Sequence, residues 1–350
     1  MNTPANNSSS LSGSQPSSKT SGKEPDGFQT HQDRSMGLMW FGIIALIIGS
    51  FSGCFSIITT VGALNTPAGE TGDSGAFMAF AIYGGFAAFM IASGLASMRR
   101  RRWMRPLMII ASWVGLSAGV LGIAMIIAMR NELGALIKAS MPAEQPIPPG
   151  MLTLVFIVGL SIVLFIAVII PIAFIVFYSS RNVIATLNTV DPKPSWPERV
   201  PLSVLGLSIS LGLAAYLILI AMSYGSISLF GSIIKGPVAV LILFAIAMVL
   251  GALAFTTYQL RPIGFWGTVV GSLLALTHGI FNYWSPNDLL TLSNNNISAT
   301  QMQAMQQFTS DTRLPMLIML IVFSAIWFVY LAFLKKYFKP QSPSPNSSNT

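Results

Sequence analysis

His278, Thr277 and Asn282 are the residues best placed to do chemistry at membrane depth. They fall in the otherwise apolar run "SLLALTHGIFNYW". Imidazole titrates near neutrality, and an ionisable group inside a bilayer is costly unless it has a use. In a helix, Asn282 shares the face of His278, which lies about four turns beyond Pro262. Such a cluster can line a polar cavity, bind a headgroup or titrate. It can equally supply an interhelical hydrogen bond near the interface, with Tyr283 and Trp284 as aromatic-belt neighbours. The residues leave both readings open.

Other chemistries lack their parts. The 11 acidic residues all fall in tails and loops, so no apolar run carries a carboxylate. This argues against midplane proton or sodium coupling through carboxylates and against aspartyl intramembrane proteolysis. Cys54 is the single cysteine, and one of the two histidines lies in the polar N-terminal tail. Internal disulfides, multi-cysteine metal sites and a polyhistidine centre are thereby excluded, and no cofactor is expected. There is no H-E-x-x-H, phosphate loop or dinucleotide fingerprint. A lipid-modifying enzyme would have to draw on Glu70, Asp73 or Asp288 in loops, without a motif behind them.

The elements that must position these residues are membrane spans. Only 9% of the 350 residues are charged and mean hydropathy is +0.68, whereas soluble domains carry about a quarter charged residues. A spanning helix needs about 20 apolar residues. Eight segments qualify, at 36–64, 76–98, 107–129, 151–178, 202–222, 237–257, 263–283 and 314–334. A short stretch, 223–236, separates the fifth and sixth segments. The expected fold is all-α, a polytopic bundle of about eight transmembrane helices occupying 36–338. Polar tails at 1–35 and 339–350 read as disordered. The first apolar run follows the long polar tail and is too long for a cleaved signal, so it reads as a signal anchor.

Charge sets the threading. With both termini inside, all of the 19 Lys and Arg except Arg130, Lys138, Lys235 and Arg313 fall on the inner side. Acidic residues divide almost evenly, which is the positive-inside pattern of a multi-pass protein in a bacterial cytoplasmic membrane. The basic balance therefore reports topology, and nucleic acid is not an expected partner; membrane lipids are.

The inner loop "RNVIATLNTVDPKPSWPERVP" (181–201) is the most deliberately written segment. Val183, Leu187 and Val190 fall on one helical face with Ile184 beside them, predicting a short amphipathic helix in the headgroup region. Asp191, Pro192 and Pro194 then force extended backbone. Trp196 reads as an interface anchor, and Arg199 and Pro201 open the next span. Docking of a cytoplasmic protein on this motif is the alternative to service within the bundle. Arg105-Pro106 and Arg261-Pro262 repeat the start signal. On the outer side, Ser298 to Gln301 resembles a capping box, predicting a helix lying on the membrane surface or over the bundle. The pairs Gly115/Gly119 and Gly267/Gly271, with Gly84-Gly85 and Gly206 to Gly212, predict close helix packing. Pro171 predicts a kink in the fourth span.

Three stretches carry a resemblance: "ASGLASMRRRRWMRPLMIIASWVGLSAGVLGIA" (92–124), "FYSSRNVIATLNTVDPKPSWPERVPLSVLGLSIS" (177–210) and "YQLRPIGFWG" (258–267). Together they resemble a group of uncharacterised bacterial multi-pass membrane proteins whose second inner loop has the form aromatic-Tyr, Val, Thr, Asp-Pro-x-Pro-x-Trp, Arg, Pro-Leu. Leu187 and Val200 stand where the related loops have cysteines, so no thiol or metal chemistry is implied. The resemblance implies topology and a motif, not an activity. Three functions stay open. The first is a non-catalytic structural, accessory or interaction role. The second is a carrier or channel for a small neutral or lipid-like substrate, with Tyr216 as a further polar candidate. The third is a lipid-modifying enzyme.

Overall fold

The structure is a computed structural model that describes residues 33–65, 72–128, 130, 134, 150–284 and 299–338. Residues 1–32 and 339–350, most of the loop expected at 130–150, and residues 285–298 of the loop expected at 284–313 lie outside the described residues. Among the described residues, eight helices are long and apolar enough to cross a membrane, because only helices satisfy every backbone group without water. The first three are α1 (Ser35–Leu64), α2 (Gly72–Met98) and α3 (Met104–Ala128). The fourth span is composite, with α4 (Met151–Leu164), a π turn (Phe165–Ile169) and α5 (Ile170–Ser179). A short helix α6 (Arg181–Val190) and a 3-10 turn (Trp196–Glu198) lead to α7 (Leu202–Ala221). The chain closes with α8 (Pro237–Tyr258), α9 (Pro262–Trp284) and α10 (Ala299–Leu334).

Two differences from expectation concern the other end of the bundle. The stretch between the fifth and sixth segments is a β-hairpin, β1 (Ser226–Leu229) antiparallel to β2 (Ser232–Lys235). Its two-residue turn, Phe230-Gly231, has positive φ at both positions (47° and 85°), as the twist of such a hairpin demands. The segment after Ser298 is not a separate surface helix. The backbone stays helical from Ala299 through Pro315 to Leu334, so it prolongs the last span.

Packing divides into two halves. Leu38, Met104, Met108, Phe174, Tyr178 and Leu187 belong to one buried cluster, drawn from α1, α2, α3, α5 and α6. Val204, Leu207, Leu211, Phe265, Leu331 and Phe338 belong to another, drawn from α7, α9 and α10 with the turn that follows it, and α8 packs against it. Lipid offers no hydrophobic drive between helices, so small residues and hydrogen bonds do the joining. On α1, Gly42, Gly49 and Ser56 recur every seven residues, with Ala45 and Ser52 between them, a heptad seam of small residues. A Cβ at Gly42 would sit 2.8 Å from the Gly94 carbonyl oxygen, and one at Gly94 would sit 2.7 Å from that of Gly42. Ser52 and Ser56 donate to the Tyr83 and Phe80 carbonyls of α2. In the second half Ser208 donates to Ala254 O, and Trp327 Nε1 to Ser272 Oγ.

The fourth span shows what proline does to a helix. Pro171 has no N–H for the carbonyl four residues earlier, that of Ala167, and its ring would strike it. The backbone widens into a π turn, with the Ile170 N–H donating to Phe165 O instead. The Ala167 carbonyl faces α3, and a Cβ at Gly119 would collide with it. Gly119 thus admits the group that Pro171 frees.

Helices α2 and α8 end alike. Arg101 N donates to Ala96 O and Arg100 N to Ser97 O, and Arg261 N and Leu260 N repeat this onto Thr256 O and Thr257 O. These are Schellman endings, which place one residue in the left-handed region, normally glycine. Here the residues are Arg100 (φ 54°) and Leu260 (φ 58°). Arg100 is exposed, so Arg100→Gly removes the Cβ penalty and loses no packing. We expect it to raise stability by about 0.5–1 kcal/mol in a thermal melt in detergent. Leu260 packs on the second core, so Leu260→Gly should give no such gain.

Candidate functional site

Charged and polar side chains gather at both ends of the bundle. At the end carrying the basic turn, Ser180 caps α6 by accepting the Val183 N–H. Helix α6 then lays Val183, Thr186 and Leu187 on the first core, while the Arg34 N–H donates to Thr186 Oγ1. Val190, expected on the buried face, is exposed in the last position of the helix. The α6 face therefore packs on protein.

The following loop folds over Arg102. The Arg102 guanidinium bonds Glu198 at 3.0 Å and donates to Pro192 O at 3.2 Å, and its backbone N–H points at Asp191 Oδ2 at 3.4 Å. Glu198 in turn accepts the Ser195 N–H across a capping box. Both side chains of the ion pair are under one-fifth exposed, so the pair is screened less than a surface pair. Beneath it, Arg105 Nε donates to Tyr178 O. The Tyr178 hydroxyl meets Ser97 Oγ, which also bonds Leu38 O, and both residues are fully buried. Tyr258 of α8 donates to Trp196 O and packs edge-on to its ring, which is half exposed. Pro192, Pro194 and Arg199 are exposed and Pro201 caps α7. The loop thus carries contacts from both halves.

At the opposite end His278 and Asn282 meet as their spacing predicts, with Asn282 Nδ2 3.0 Å from His278 Nε2. Their partner is the hairpin. Asn282 Oδ1 accepts from the Gly231 N–H at 2.9 Å and the Ser228 hydroxyl at 3.1 Å, and the Phe230 N–H points at His278 Nδ1 at 3.3 Å. A neutral imidazole accepts at one nitrogen only, so each tautomer makes one of the two His278 contacts a hydrogen bond. The Phe230 ring packs edge-on against His278 and Phe281. Thr277 is exposed and bonds its own helix at Leu273 O, apart from the pair. Of the loop acids, Glu70 and Asp288 lie outside the described residues, as does the side chain of Asp73.

Asn282→Ala removes the acceptor for two turn groups at once. We expect a local loss of about 1–2 kcal/mol, read as roughly tenfold faster hydrogen exchange at the Gly231 amide. Asn282→Asp keeps the acceptor oxygens and should retain most of the protection.

The fold and these two ends define a polytopic helical membrane protein with eight spans. No family model, curated protein or solved structure matches the chain.

Proposed function

We propose that this protein is a non-catalytic multi-pass membrane protein with a structural, accessory or interaction role. The basic end would face the cytoplasm of a bacterial cell, with both termini on that side. The observation that carries the reading is the use made of the polar residues. Arg102, Glu198, Asp191 and Arg105 are held by one another and by backbone carbonyls. His278 and Asn282 are held by the hairpin. A turnover that used either group would have to break bonds that hold the bundle's ends together. Two of the three stretches that carry the family resemblance bind each other through Arg102 and Glu198.

The exposed strip Pro192, Lys193, Pro194 and Trp196 is where a cytoplasmic partner would dock on this reading. Native mass spectrometry of the protein extracted in mild detergent tests it. A retained partner protein that is lost on Trp196→Ala, with the melt unchanged, is the expected result. A retained small solute with no protein would overturn it.

The carrier reading keeps one specific support, the π turn of the fourth span, since such turns are frequent at functional sites.

A further inference from the structure

We propose that the seam between the two halves holds one acyl chain of a membrane lipid, in the leaflet on the hairpin side. A cavity of about 350 Å³ lies between α2 of the first half and α7 of the second. That volume is within the range of ligand pockets, about 300–1,000 Å³. Phe77, Phe80 and Gly85 line one wall, and Tyr216, Leu219 and Ile220 the other.

Its chemistry selects hydrocarbon. The one side-chain polar atom in the lining, the Tyr216 hydroxyl, is spent on the Ala81 carbonyl at 2.7 Å. A polar solute would therefore meet carbon on every side, at the cost that desolvation without a partner brings. Gly85 makes room for that hydroxyl, since a Cβ there would sit 2.7 Å from it. Toward the hairpin the Tyr224 hydroxyl reaches the Met78 sulfur at 3.1 Å, a second contact between the same two halves.

Its dimensions select a chain that runs along the membrane normal. Phe77 to Gly85 rises about 12 Å along the helix axis. One leaflet of hydrocarbon is about 15 Å deep, so the groove takes most of an acyl chain lying parallel to its neighbours. Both helices are spans, and the flanking Phe77, Phe80 and Leu219 are exposed, so the surrounding bilayer is what meets this opening. Closing it with lipid fills a gap between halves that small residues alone do not close.

The test uses the full chain in nanodiscs of phosphatidylcholine carrying a diazirine midway along one acyl chain. After irradiation, labelled peptides are mapped by mass spectrometry. Residues 77–85 and 216–220 should be labelled several-fold above Leu241, Phe244 and Met248, which are exposed on α8 in the same half of the membrane. Leu219→Trp fills the groove from its open wall and should bring labelling down to that level with the thermal melt unchanged. Equal labelling of the groove and α8, or undiminished labelling in a folded Leu219→Trp protein, overturns the proposal. So does equal labelling of the groove by a diazirine on the headgroup, which would make the occupant something other than the chain. Should Leu219→Trp not fold, Leu219→Phe gives the same comparison with a smaller plug.

Discussion

Gly119→Ala should cost about 2–3 kcal/mol of stability, the scale of forcing an atom into a packed interior. The added methyl collides with the Ala167 carbonyl, and that oxygen cannot retreat, because Pro171 denies the helix the bond that would draw it back. The effect should therefore depend on the proline. In the Pro171→Ala background residue 171 regains an N–H, the π turn can close toward an α-helix, and the Ala167 carbonyl can turn away from α3. The second Gly119→Ala substitution should then cost clearly less, giving a coupling of about 1–2 kcal/mol in a double-mutant cycle. Unfolding in mixed micelles measures all four proteins. Additive losses would show that Gly119 and Pro171 act separately. Gly115, four residues earlier, offers the contrast. A Cβ there meets Pro171 Cγ at 3.8 Å, an ordinary contact, so Gly115→Ala should be nearly neutral.

Arg102→Ala should cost about 2–3 kcal/mol, because it leaves Glu198 half-buried without its partner and removes the donor to Pro192 O. The remaining exposure of both side chains keeps the figure below that of a fully buried pair. The loss should be concentrated at the loop. Hydrogen exchange at Ser195, whose amide depends on Glu198, should rise more than exchange in the middle of α3. Arg102→Lys retains charge and loses the fork, so it should recover part of the stability and not all of it. That variant also permits a direct check, since carbodiimide should couple the new amine to Glu198. Coupling to no acid, or only to Asp191, would contradict the geometry.

Much of this molecule was legible in its sequence, for physical reasons that also explain what was not. The eight spans follow from hydropathy alone, because lipid punishes an unpaired backbone group wherever it occurs. The face of α6 was half legible. Val183 and Leu187 share one helical face as their spacing predicts, but that face is buried on the first core where a headgroup-region face was expected, and Val190 ends the helix and turns outward. The hairpin was hidden by its turn, since Phe230-Gly231 lacks the usual Asn-Gly signal. The alternation Ser226, Ile227, Ser228, Leu229 was the available clue. Four-residue glycine spacing drew attention to Gly267 and Gly271. Only Gly267 meets a neighbouring helix, at Leu253, and Gly271 faces open space. The close crossing of Gly42 on Gly94 belongs to a seven-residue pattern that a four-residue search does not see. His278 and Asn282 were legible as a pair because four residues make one helical turn. Their partner was not, since 51 residues separate Asn282 from Gly231. The pair Arg102–Glu198 spans 96 residues, and nothing local in either motif points to the other.

The central claim is that the polar residues of this protein are spent on packing, and that its two halves meet along a seam that excludes water. Hydroxyl radicals generated from water offer the most direct measurement, because they label methionine and tyrosine side chains only where water reaches them. Met108 of α3 is 2% exposed, and Tyr330 of α10 donates across to Ser203 O beside Gly206. With the protein in nanodiscs, the account predicts labelling of Met108 and Tyr330 near background while Met36, exposed at the start of α1, is labelled rapidly. Rapid labelling of Met108 and Tyr330 would reveal a water-filled path between the halves and contradict it.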